Sequence, residues 1–203
     1  MKYLFYKLFF LPRKIRCSFY KFYNRLLLRW SGALLGSNSQ MFNKIYFCRD
    51  RESKCEIGEN FVFYSGDCLN PLTRNLYGCI YQEKGSCVKI GNNVGISSAC
   101  IWSAVKIEIG DNVMIGGGAV IMDTDAHSLD YKLRKIPLQD KANAACCPIV
   151  IKNDVLIGAY SIILKGVTIG EGSVIGGGSV VTKDIPSHCI AAGNPCKVIK
   201  YIH

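Results

Sequence analysis

The sequence predicts an all-β solenoid preceded by an amphipathic helical segment. Three observations predict it. First, aliphatic residues recur at Ile151, Ile157, Ile163, Ile169, Ile175 and Val181, six apart and without a slip. Second, four residues after each anchor stand Val155, Ser161, Val167, Ser173, Ser179 and Ile185, all small or β-branched. Third, Gly follows the anchor in three of these six units. A helix period of 3.6 cannot produce this pattern, and a plain strand period of two would not place Gly so regularly. One short strand and one turn per six residues, with the anchor pointing inward, does produce it.

Residues 1–36 form a distinct first segment. Residues 1–30 hold eight Lys or Arg and no Asp or Glu, and ten of the 22 aromatic residues, Tyr3, Phe5 and Tyr6 among them. After Pro12, apolar residues fall at Ile15, Phe19, Phe22, Leu26 and Trp30, a spacing that places them on one helical face. Lys14, Lys21, Arg25 and Arg29 run along one flank of that face. Such a helix can lie in a membrane interface with its basic groups on anionic headgroups. It can equally pack on its own domain or on a sister subunit, because both arrangements need the same apolar face.

The solenoid is expected over 37–187. Its early coils are ragged, as terminal repeats often are. Ile57 opens a first unit, residues 69–85 break the pattern, and Ile90, Ile96 and Trp102 give a less regular coil. Ile109, Ile115 and Ile121 give a regular one. A single large excursion, residues 128–148, carries no repeat and includes Asp130, Lys132, Arg134, Lys135, Asp140 and Lys141. Loops of this length inside a compact domain are usually functional or disordered. Residues 188–203 form a C-terminal tail.

Charge and cysteine content exclude several function classes. The net charge is +10, but outside residues 1–30 the chain carries 17 basic against 15 acidic residues. The surplus belongs to the leader, so a nucleic-acid-binding body is not expected. The 11 cysteines are odd in number and contain no C-x-x-C, which predicts free thiols in a reducing compartment. Lys7 interrupts the first apolar stretch and no small-residue cleavage site follows, so a signal peptide is not expected and the expected location is the cytoplasm.

The candidate for chemistry is His127. It stands where the six-residue count from Ile115 and Ile121 calls for the next anchor, just before the excursion. Asp125, and less directly Asp123, precede it, and a carboxylate can hold an imidazole in the tautomer a general base needs. The other histidines are His188 and the terminal His203. A three-histidine metal site needs histidines on several coils, so no metal is expected.

Three stretches resemble a known family. They are Asp154-Val-Leu-Ile-Gly-Ala, the run from Lys165-Gly-Val-Thr-Ile-Gly to Thr182-Lys-Asp-Ile-Pro, and Ala192-Gly-Asn-Pro-Cys-Lys-Val-Ile-Lys. They resemble the hexapeptide-repeat acyltransferases, in the branch of galactoside, maltose and polysaccharide O-acetyltransferases. The resemblance is dense over 88–200, weak over 31–87 and absent over 1–30. It implies a left-handed parallel β-helix, a homotrimer with active sites between subunits, and acetyl-CoA as donor. It implies that His127 is the base, because His127-Ser-Leu-Asp-Tyr-Lys-Leu-Arg-Lys keeps the family's spacing to a Leu-Arg-Lys. It implies that the backbone N–H of Ala159 faces the thioester. Gly177, Thr182 and Lys183 would follow the pantetheine arm, and Lys197 and Lys200 would lie beside the coenzyme's phosphates. The chain departs from the family at Leu156, where Trp is frequent, and over 96–105, which lacks the polar acceptor residues of galactoside-type enzymes.

The expected function is acetyl-CoA-dependent O-acetylation of a saccharide hydroxyl in cell-surface polysaccharide biosynthesis, with peripheral contact at the inner membrane face. Two readings stay open beside it: an amino-sugar N-acetyltransferase and a non-catalytic β-helix scaffold.

Overall fold

The computed structural model describes residues 2–68 and 70–202, with side chains over 9–67 and 70–202. His203 and the side chains of Tyr3, Phe5, Tyr6 and Cys68 lie outside the described residues. The fold is a left-handed parallel β-helix of six coils behind a long N-terminal helix. Each coil visits three flat faces in turn. Face one stacks Leu34–Leu35, Lys54–Ile57, Cys87–Ile90, Lys106–Ile109, Ile149–Ile151 and Thr168–Ile169. Face two runs from Gln40–Phe42 through Met114–Ile115 and Leu156–Ile157 to Cys189–Ala192. Face three runs from Ile45–Arg49 through Gly78–Gln82, Cys100–Ser103 and Val120–Met122 to Val180–Val181. All pairings between these strands are parallel, and the terminal strand Lys197–Tyr201 turns back antiparallel on Cys189–Ala192.

The core is a set of side-chain columns. Ile90, Ile109, Ile151 and Ile169 stack on face one, and Ile96, Ile115, Ile157 and Ile175 on face two, all buried. Removing each such side chain from water contributes roughly 1.5–3 kcal/mol. The positions four after each anchor, Val155, Ser161, Val167, Ser173 and Ser179, are also buried, at the corners. One corner is lined by asparagines in the left-handed region: Asn38, Asn60, Asn93 and Asn112. Their amides hydrogen-bond in series, Asn60 to Asn93 at 2.9 Å and Asn93 to Asn112 at 3.0 Å. Asn tolerates positive φ better than other L-residues, so the ladder satisfies turn geometry and polar groups together.

Trp102 is not the anchor of its coil. Ile101 is the buried residue, and it pairs in register with Ile121 while Trp102 pairs with Met122. The turn after Ile96 is one residue shorter than the turn after Ile115, and Ser98 supplies the positive φ there, at 43°. The count slips by one, and Trp102 points outward.

Helix α1 (Lys2–Trp30) packs on the first coil. Asn24 is fully buried and its amide donates to Met41 O and, at 2.8 Å, to Asn43 O; Leu28 is buried beside the first strand. Arg16 pairs with Asp67 at 2.6 Å. The apolar face predicted from periodicity exists, but it turns away from the solenoid: Ile15, Phe19, Phe22 and Trp30 are all exposed, Trp30 by 80%. The solenoid-facing stripe includes Cys17, which is disulfide-bonded, so the expectation of free thiols throughout is corrected there. Among the described residues nine other cysteines are free. Burial pushes the Cys55 thiol up to about 12, and it behaves as a small core residue.

Candidate active site

The excursion leaves face three after Met122 and rejoins face one at Ile149. Its base is closed by a Thr124–Cys146 bridge, by Cys147 N–H to Asp123 O at 3.0 Å and by Asp125 N–H to Ala145 O at 2.9 Å. Asp123 is fully buried at this corner. Its carboxylate accepts from Ser103 Oγ and from the N–H groups of Ala104, Val105 and Lys106, at 2.6–3.0 Å. Asp123 therefore shapes the corner of the preceding coil and is not a partner of His127. Beyond it the excursion folds into a 3-10 turn, Leu133–Lys135, and a short helix α2, Pro137–Ala142, with Pro at its first turn.

His127 is not an inward anchor. The inward place on face one is taken by Ile149 and Ile151 after the excursion, and the His127 side chain is 70% exposed. Helix α2 brings Asp140 to it: Nδ1 of His127 lies 2.6 Å from Asp140 Oδ2. Asp140 Oδ1 accepts the Ser128 N–H at 2.7 Å, which fixes the carboxylate's orientation. The bond to His127 and then that N–H hold the Asp140 carboxyl below the usual carboxylate range. An ionised Asp140 accepts a hydrogen bond from Nδ1–H, leaving the Nε2 lone pair for a substrate.

Asp125, the carboxylate expected to orient His127, is engaged elsewhere. Its Oδ1 binds Lys165 Nζ at 2.6 Å, on the next coil. Sequence proximity suggested Asp125, but the chain turns at Ala126 with φ 62°, which sends the two neighbouring side chains apart.

His127 and Asp140 line a cavity of about 320 Å³ with Tyr81, Glu83, Trp102 and Lys141. Trp102 Nε1 donates to Glu83 Oε1 at 3.0 Å. Tyr81 meets the Trp102 ring edge to face at 5.8 Å. Lys141 Nζ lies 3.5 Å from Glu83 Oε2. Sequence reasoning missed Asp140, Trp102, Tyr81 and Glu83 as site residues. For Trp102, Tyr81 and Glu83 the outward side of face three was the signal, and the misplaced anchor at 102 hid it; Asp140, on α2, had no repeat to mark it.

The expected donor-binding residues fall into separate groups. Ala159 and Gly177 stack at the corner between faces two and three, where Tyr160 N–H binds Gly117 O and Gly178 N–H binds Ala159 O. The coils approach closely here: a Cβ on Gly116 would lie 2.5 Å from Ala159 N, and one on Gly158 2.4 Å from Gly177 N. The Ala159 N–H has no acceptor among the described residues. This slot of small residues with an unused donor suits a thin thioester arm. Thr182 and Lys183 are exposed at the corner between faces three and one, the corner that also carries the His127 excursion. Lys197 and Lys200 are exposed on the terminal antiparallel strand. Within one chain, then, His127 and Ala159 stand at opposite edges of face three.

Parts of the chain are similar to known proteins. Residues 148–183 match the family model described as bacterial transferase hexapeptide (six repeats). Over 125 residues the chain is 41% identical to the galactoside O-acetyltransferase of Escherichia coli K12, covering 61% of this chain and 59% of that protein. It thus spans less than two-thirds of that relative's length. A hexapeptide-repeat acetyltransferase of Vibrio cholerae O1 biovar eltor, solved with acetyl coenzyme A, is 34% identical with a TM-score of 0.53, over 60% of this chain and 63% of that one. The maltose O-acetyltransferase of Clostridium difficile 630 is 30% identical with a TM-score of 0.52, over 82% of this chain and 71% of that one.

Proposed function

Because the chain belongs to the hexapeptide-repeat acyltransferases, we propose that it moves an acetyl group from acetyl-CoA to a saccharide hydroxyl, with His127 as general base. The observation that carries this reading is the His127–Asp140 pair at the mouth of the cavity lined by Trp102.

His127 Nε2 takes the hydroxyl proton as the acceptor oxygen attacks the thioester carbonyl. A backbone N–H such as that of Ala159 stabilises the oxyanion. The carbon–sulfur bond then breaks, and the imidazolium returns its proton to the leaving thiolate. The products are the O-acetyl saccharide and free coenzyme A. No covalent enzyme intermediate is required, so the free thiols stay outside the reaction.

The site is assembled between copies of the chain in a homotrimer. Support comes from the placement of His127 and Ala159 at opposite edges of one face, so that one copy's histidine edge meets the next copy's glycine corner. Gly177, Thr182 and Lys183 would line the pantetheine arm, and Lys197 and Lys200 would meet the phosphates. The acceptor rests on Trp102, since an aromatic face is apolar and a sugar's C–H face is too. We assign the reaction to surface polysaccharide assembly in the cytoplasm, with α1 touching the inner membrane face. Among the described residues no helix is long and apolar enough to cross a membrane. Thiol release from acetyl-CoA against a panel of glycans, with products identified by mass, tests the reading. Absence of glycan-dependent thiol release would refute it.

A further inference from the structure

Helix α1 leaves most of its apolar surface uncovered. Asn24 and Leu28 mark the side that meets the solenoid. At 100° per residue, Ile15, Phe19, Phe22, Leu26 and Trp30 lie on the far side. Lys14, Lys21, Arg25 and Arg29 lie between the two, on one flank. The other flank is different, because Arg16 there is neutralised by Asp67.

The basic flank borders a cleft of about 520 Å³ between α1 and the first coil, lined by Ser18, Lys21, Phe22, Arg25 and residues 38–40. Lys21 Nζ binds Gln40 Oε1 at 3.0 Å and lies 4.2 Å over the Phe42 ring. Arg25 binds the Ser39 carbonyl at 2.7 Å. Both cations are thus fixed in place by neutral groups, and neither meets a carboxylate among the described residues. No lining residue is acidic. Two positioned cations without a counter-charge, beside an exposed phenylalanine, form a place for an anion that carries a hydrocarbon tail.

We propose that this cleft binds the phosphate of an anionic lipid headgroup, with the acyl chains lying along Phe22 and Phe19, and that it docks the protein on an anionic bilayer. The proposal rests on the peripheral membrane reading of α1 and adds to it a specific headgroup site. Guanidinium and ammonium donors reach the phosphate oxygens directly. The apolar side of α1 then lies in the interface, with the solenoid held above it.

Co-sedimentation of the full chain with vesicles tests this, using phosphatidylcholine alone and an equimolar mixture with phosphatidylglycerol. Binding to the mixture and not to phosphatidylcholine alone is expected. Diffuse attraction gives about 1 kcal/mol per cation, so losing any two flank charges should weaken binding roughly 30-fold. Lys14→Gln with Arg29→Gln should lose about that much. Lys21→Gln with Arg25→Gln should lose at least about tenfold more, because direct phosphate contacts go as well. Ser18→Trp fills the cleft while keeping every charge, and it should show the same excess loss. Equal losses in the two double variants, with Ser18→Trp unaffected, would overturn the headgroup site and leave the membrane reading standing. No binding of the unaltered chain to either vesicle would overturn both. If Phe22→Ser changes the oligomeric state and not vesicle binding, the face belongs to a sister subunit and the proposal falls. None of these readouts depends on acetyl transfer.

Discussion

Asp140, thirteen residues after His127, places its Oδ2 2.6 Å from the His127 Nδ1 and takes the Ser128 N–H on its other oxygen. The excursion thus returns to the proposed base at its root the carboxylate that orients it. Asp140→Asn should lower kcat by up to the whole general-base contribution, about 10²–10⁴-fold. Asp125→Asn breaks only the pair with Lys165 and should leave kcat within a few-fold of the unaltered enzyme. Steady-state kinetics of the two variants side by side check this.

The same pair sets an acid limit on the excursion. Asp140 is held below the ordinary carboxylate range, chiefly by His127. A depressed folded value means the stabilisation is present above about pH 4, the ordinary aspartate range, and is lost as pH falls through the folded value. Amide-exchange protection in residues 124–146, taken relative to the intrinsic rate at each pH, should therefore fall below about pH 4, before the coils open. Asp140→Asn should show that lower protection already at neutral pH.

Asp123 is a structural carboxylate with four donors. Asp123→Ala leaves three backbone N–H groups without their acceptor at a buried corner. A loss of at least about 3 kcal/mol is expected, which lowers Tm by roughly 6–12 °C in a chain of this size. Thermal unfolding followed by circular dichroism measures it.

The columns should behave as a packed core. Ile163 is fully buried and register-paired with Ile121 and Val181. Ile163→Ala should cost about 2–5 kcal/mol, while Ile162→Ala on the outward side of the same strand should cost much less. Denaturant titration of both variants separates the two.

The β-helix was legible because its period is fixed by the coil itself: an anchor every six residues has one place to go. The slip at Trp102 shows the limit. A turn without glycine, shortened by a residue at 97–99, moved the anchor to Ile101, and the count alone could not reveal it. For α1 the spacing gave the right apolar face and left its surroundings open. Periodicity states that Ile15, Phe19 and Phe22 share a side, and tertiary contacts decide what that side meets. His127 stood out by its place before the excursion. Asp140 did not, because its approach depends on the path of Leu133–Lys135 and α2, which no repeat constrains.

The central claim is that His127 removes the acceptor's proton during acetyl transfer from acetyl-CoA. Thiol release by the unaltered chain and by His127→Ala, with a glycan acceptor, tests it most directly when acetyl-CoA binding is measured alongside by calorimetry. The account predicts a fall in kcat of at least about 10²-fold with acetyl-CoA affinity unchanged. Full activity in His127→Ala would contradict it.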